Sequence, residues 1–160
     1  MKQEVKISIR DNNLKRLVKK VLKRIPEKLP PIYVFISKYD AKDKTDGEVD
    51  ENNDVLLDPK ILINGEDYVI GVIAHEFAHA YLQHGLLGRS FEDKNRGNVF
   101  AEMDADLLAC KWGFEKEIRI VRGDFIREFK KSYEEHEKIF PFSLKPKFKK
   151  KQDKWFKLVE

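Results

Sequence analysis

The stretch VIAHEFAHAYLQHG, residues 72–85, holds three of the four histidines in the chain, and its reading decides the fold. Tyr68, Val69, Ile70, Val72, Ile73, Phe77, Ala78, Tyr81 and Leu82 run apolar nearly all round a helical wheel, which predicts a buried helix over roughly 65–84. Within it His75, Glu76 and His79 spell H-E-x-x-H. Residues four apart on a helix lie one turn above each other, so both imidazoles can converge on one cation while Glu76 borders the same face. In a chain of this length and histidine content the pattern is expected by chance only about 0.01 times. The competing reading is a pair of ordinary core histidines. Two His and a Glu on an apolar helix cost several kcal/mol unless they are paired or bind a metal, which favours the metal.

Catalytic zinc usually takes three protein ligands and leaves a fourth position for water, so a third ligand is required. A second helix is predicted from about Asn98 to Lys111, ending at the Gly113 stop signal. Its segment VFAEMDADLLAC places Glu102 and Asp106 four apart on one face, with Asp104 pointing elsewhere, beside Phe100, Ala101, Ala105, Leu108 and Ala109. Glu102 is the expected ligand, and Asp106 is expected to accept a hydrogen bond from the outer nitrogen of a ligand histidine. Cys110, the single cysteine, is the other available donor.

His84 is expected to stand outside the metal site. Five residues beyond His79 is about 500° of helix, which turns the side chain away from the zinc face. The glycine and third histidine of the longer H-E-x-x-H-x-x-G-x-x-H motif are replaced here by Leu82 and Gly85. A role in the last helical turn, near the unpaired carbonyls before Gly85, suffices for it, and its removal is expected to leave zinc in place.

Outward from these helices, Leu14, Leu17, Val18, Val21, Leu22 and Ile25 recur at helical spacing after Asp11, Asn12 and Asn13, until Pro26 intervenes. The opposite face, with Lys15, Arg16, Lys19, Lys20, Lys23 and Arg24, reads as solvated. IYVFIS (32–37) reads as a buried strand and VLL (55–57) as a second. Between them lies a polar loop or ragged hairpin with Gly47 and Asn52-Asn53 at its bends. Asp50, Asn52 and Asp54 imitate a calcium loop, but Val55 and Ile61 stand where its glycine and bidentate glutamate belong, so calcium is rejected. Asp58-Pro59 opens a helical turn over 60–63, and Asn64 is the expected cap of the buried helix. A charged helix follows from Glu115 to Phe140, with a break expected at Gly123-Asp124, and the basic, aromatic tail 141–160 reads as solubilising or loosely docked.

The pair H75-E76-F77-A78-H79 and E102-M103-D104-A105-D106 resembles the gluzincin pattern, H-E-x-x-H with a downstream E-x-x-x-D. The short chain is similar to minigluzincins, phage-type metallopeptidases and ImmA/IrrE-type peptidases, with the match confined to roughly 54–114. The resemblance implies an α+β fold in which a small mixed sheet packs on an active-site helix and a glutamate helix, with N- and C-terminal helices around them. It implies an edge strand that receives the substrate backbone, which would be Val55, Leu56 and Leu57. It further implies a zinc metalloendopeptidase with His75, His79 and Glu102 as ligands, Glu76 as general base and Asp106 behind a ligand. Tyr133 and His136 are the available oxyanion donors, although a solvated helix face explains them equally well.

The rest of the composition bounds this reading. At 160 residues one domain is expected, with its core over about 12–140. Thirty-two Lys and Arg against 28 Asp and Glu leave a net charge of +4, too evenly mixed for a nucleic-acid or membrane footprint. One cysteine excludes an intramolecular disulfide, and neither a signal-like start nor a long apolar run is present, so a cytoplasmic protein is expected, while a peptide or protein substrate is what the resemblance implies. Two alternatives stay open. One is a regulatory peptidase acting on a DNA-binding repressor, and the other is a catalytically silent zinc-stabilised binding domain.

Overall fold

The computed structural model describes residues 4–37, 45–87, 97–136 and 146–160, and its architecture is α+β. Four short strands, β1 (Val5–Ser8), β2 (Ile32–Ile36), β3 (Gly47–Val49) and β4 (Val55–Leu57), form a mixed sheet in the order β1-β2-β4-β3. The first two neighbouring pairs, β1-β2 and β2-β4, are parallel, and β3 joins β4 antiparallel, with Gly47 opposite Leu57 and Val49 opposite Val55. Val5, Ile32, Val34, Val55 and Leu57 point to one face, where they meet the helices. Lys6, Tyr33 and Phe35 occupy the other face, where Tyr33 and Phe35 stack at 5.8 Å.

Helix α1 (Asn12–Arg24) begins where Asp11 accepts a hydrogen bond from the Leu14 amide at 2.8 Å, and it buries Leu14, Leu17, Val18 and Val21 as the apolar spacing requires. Its Arg16 and Lys20 pair with Glu66, and Arg24 pairs with Glu117, which ties part of the basic face to neighbouring elements. Asp58 caps a 3-10 turn over Pro59–Asn64 through the Lys60 amide. The central helix α2 (Glu66–Tyr81) follows, and every residue from Val69 to Ala80 is buried. Gly65, not Asn64, occupies its N-cap and makes no side-chain cap bond, while Glu66 and Asp67 sit in the first turn where the helix end favours acids.

Helix α2 ends at Tyr81, short of the expected Gly85, and Gln83 at φ 57 reverses the chain into the short helix α3 (His84–Leu87). Helix α4 (Gly97–Ala109) runs into a kinked turn, Cys110–Phe114, where Gly113 has φ 92. Helix α5 (Glu115–Glu135) passes through Gly123 without the expected break, and its expected reach to Phe140 lies outside the described residues.

The C-terminal segment differs from its sequence reading. Helix α6 (Pro146–Phe156) and a terminal 3-10 turn bury Trp155 completely and Gln152, Phe156 and Leu158 nearly so, against Phe125 and Phe129 of α5. It is part of the core, because Phe148, Gln152, Trp155, Phe156 and Val159 recur at helical spacing within the basic sequence. Strand β1 is likewise present where the sequence reading placed none. Among the described residues no helix is long and apolar enough to cross a membrane.

Candidate metal centre

Helix α2 presents His75, Glu76 and His79 from its buried middle, and α4 crosses it so that Glu102 faces both imidazoles. The Nε2 atoms of His75 and His79 are 3.0 Å apart. Glu102 spans them, with Oε2 at 3.2 Å from His75 Nε2 and Oε1 at 3.3 Å from His79 Nε2. Among the described residues these three form the group able to hold a metal ion. A four-coordinate ion with bonds of about 2.0–2.1 Å holds its ligand atoms about 3.3 Å apart, and each of these separations, one to each Glu102 oxygen, is close to that value. Glu102 is thereby the residue that could supply a third donor. Cys110 is outside the group, its thiol pushed up to about 12 by burial and by the nearby Asp106 carboxylate.

The outer nitrogens are also engaged. His75 Nδ1 donates to Asp106 Oδ1 at 2.8 Å, as the spacing of α4 predicts. Asp106 is completely buried and accepts two further donors, Arg122 Nε at 3.1 Å and Trp155 Nε1 at 2.8 Å. Arg122 simultaneously pairs with Glu102 and lies over the Phe125 ring at 4.4 Å, so one guanidinium braces both Glu102 and the carboxylate behind His75. The outer nitrogen of His79 meets Nδ1 of His84 at 2.7 Å. His84 therefore stands outside the metal group as expected, but not for the expected reason. The chain reversal at Gln83 brings its ring back onto His79, whereas a continued helix would carry it away.

Charge is distributed accordingly. Burial opposes a charged His75, yet the Asp106 charge and hydrogen bond together with Glu102 raise its pKa to about 10 in the metal-free protein. Burial would likewise raise the Glu102 pKa, but hydrogen bonds from His75 and His79 and the Arg122 charge hold it far below the usual carboxylate range. Burial raises the pKa of Glu76, against the pull of His75 and His79, and so makes it a stronger base than an exposed glutamate. His84 is lowered to about 4 by burial and by His79.

The strand expected to receive a substrate is not at the sheet edge: β4, Val55–Leu57, is paired on both sides, with β2 and with β3. Strand β3 occupies that edge. Gly47 faces the helices there, so close that a side-chain carbon at this position would lie 2.8 Å from Glu76 Cγ. The Asp50-Asn53 bend that leads from β3 to β4 uses Asp50 Oδ1 as acceptor for the amides of Asn52 and Asp54, both at 2.9 Å. Those acidic and amide residues thus serve as turn formers. Tyr133 packs against Phe156 at 6.0 Å, and His136 is exposed at the end of α5, three to four turns and about 16–21 Å along the helix from Arg122. Neither is brought to the site.

Gly47, His84, Arg122 and Trp155 were not identified as site residues from sequence. Arg122 carries a legible signal, since it interrupts the apolar spacing of Ile118, Phe125, Ile126 and Phe129. A charge on a buried stripe needs a partner. No family model matches the chain, and no match to it is found among curated proteins or solved structures.

Proposed function

We propose that the protein is a zinc-dependent peptidase of the gluzincin type, with His75, His79 and Glu102 as ligands. The observation that carries this reading is the convergence of two imidazole Nε2 atoms and one carboxylate within 3.0–3.3 Å of one another, while Asp106 and His84 occupy both outer nitrogens. Two imidazoles and a carboxylate suit zinc, and three protein ligands leave a position for water or substrate. A zinc ion held by these residues would supply an acidified water and a Lewis acid for the carbonyl.

The remaining chemistry belongs to the chain. Glu76 Oε takes the proton from the attacking water and later delivers it to the leaving amine, a role its raised pKa favours. Arg122 and Asp106 hold Glu102 and His75 in place as charge develops. The substrate backbone adds to β3. The Asp58-to-Asp46 and Asp50-to-Asp54 amide bonds fix the alternation of the β3-β4 pair, so the amides and carbonyls of Gly47 and Val49 point away from β4. An extended peptide on that edge runs past Glu76, and a zinc-loaded chain is expected to cleave internal peptide bonds.

A zinc-stabilised domain without turnover is the second reading, favoured by the burial of Glu76, which is 6% exposed. Glu76→Gln separates the two. Under the peptidase reading this variant keeps its zinc and loses turnover against a peptide library by orders of magnitude. Equal turnover in both proteins refutes Glu76 as the base, and its absence from the zinc-loaded parent favours the structural site.

A further inference from the structure

The outer nitrogens of the two candidate ligand histidines have partners of different kinds: His75 meets a carboxylate, and His79 meets another imidazole. We infer that His84 is a positioning residue for His79, its Nδ1 accepting the hydrogen bond of His79 Nδ1–H so that the Nε2 lone pair is held toward the metal. The inference rests on the metal-centre reading proposed above and concerns how one ligand of that site is aimed.

The geometry leaves little freedom of assignment. At 2.7 Å the two Nδ1 atoms share one proton. A neutral imidazole that gives Nε2 to a metal carries its proton on Nδ1, so His79 is the donor and His84 the acceptor, with the His84 proton on its own Nε2. The backbone is built to deliver this contact. Leu82 N–H donates to Ala78 and Gln83 N–H to Ala80, which closes α2, and Gln83 then takes the left-handed conformation that swings the next residue back. Gly85 anchors the other side of His84: a side-chain carbon there would lie 2.1 Å from the Asp50 carbonyl oxygen and 2.8 Å from Val49. The chain after α2 is therefore pressed on the end of β3, and His84 lies between that contact and His79, its ring 5.0 Å from the His79 ring at 65°. A partner on the outer nitrogen fixes both the tautomer and the ring orientation of a metal-binding histidine, and losing one typically costs 10–100-fold in metal affinity.

The test uses the full chain, zinc as probe and a chromophoric competitor, with cobalt(II) loading to read the ligand field. His84→Phe keeps a ring without an acceptor, His84→Ala removes the ring, and His84→Asn places Oδ1 where Nδ1 stood. Zinc affinity is expected to fall about 10–100-fold in the Phe and Ala variants and to recover to within about threefold in the Asn variant. The cobalt(II) band should shift in the first two and return in the third. Metal-free melting temperatures of the same proteins separate this pattern from a general loss of folding, and the Ala and Asn pair decides the matter if the Phe variant does not fold. Affinity in the Phe and Ala variants equal to the parent's overturns the inference and leaves the metal centre standing, as does an Asn variant no better than Ala. A parent chain that binds no zinc overturns the metal centre itself, and this inference with it.

Discussion

Gly47 of the edge strand lies directly against Glu76 of the central helix, with no room between them for a methyl group. The strand that would present a peptide and the residue that would move the proton are thereby held in one another's contact. Gly47→Ala must displace either β3 or the buried Glu76 side chain. Overpacking of this kind costs about 1–3 kcal/mol. The variant is expected to retain zinc while its turnover falls at least tenfold, measured by metal analysis and peptide cleavage on the same sample.

Arg122→Met removes the guanidinium that pairs with both Glu102 and Asp106. With no metal bound this leaves buried carboxylate charge poorly compensated, and removing one partner of such a pair costs about 3–5 kcal/mol. A divalent cation replaces part of the missing charge. The rise in melting temperature on zinc addition should therefore be larger in the variant than in the parent, and calorimetry with and without the metal checks it.

Trp155→Phe preserves the aromatic packing with Phe125, Phe129 and Phe156 but removes the N–H that reaches the buried Asp106. The expected loss is about 1–3 kcal/mol of stability, since the Asp106 oxygen is left without that donor. Zinc affinity should fall as well, because Asp106 is less firmly held behind His75. A denaturant melt and a chelator competition read the two effects separately.

The metal-free protein should show a pH signature of His75. Its folded pKa, about 10, lies above the ordinary value of 6.5, so its contribution is fully present below about pH 6.5 and is lost as pH rises through about 10. Chelator-treated protein is expected to lose up to a few kcal/mol between those limits from this group. Zinc-loaded protein should lack this component, because a metal-bound imidazole has no proton to release there. Urea melts at several pH values, with and without zinc, compare the two.

Much of the centre was legible because its signals are local. His75 and His79 are one turn apart, as are Glu102 and Asp106, and helical periodicity alone puts each pair on one face. What was not legible depends on chain reversal or on pairing between distant segments. Gly47 reads as a bend residue in a polar stretch, and only pairing with β4 turns it into an edge strand over Glu76. Val55, Leu56 and Leu57 were recognisable as a strand, but periodicity carries no information about which side of a strand is paired. His84 was excluded as a ligand by extending an ideal helix that in fact stops at Tyr81, so the conclusion survived while its geometry did not. Trp155 was obscured by the lysines around it, although its spacing from Phe148 and Gln152 marks an amphipathic helix.

The central claim, that His75, His79 and Glu102 together hold one catalytic zinc, is tested most directly by metal analysis of the purified full chain beside its Glu102→Ala variant. The account predicts one zinc per parent chain and a severe loss in the variant, since two histidines alone do not complete the site. Zinc bound as tightly by Glu102→Ala as by the parent, or a parent chain that binds none, would contradict it.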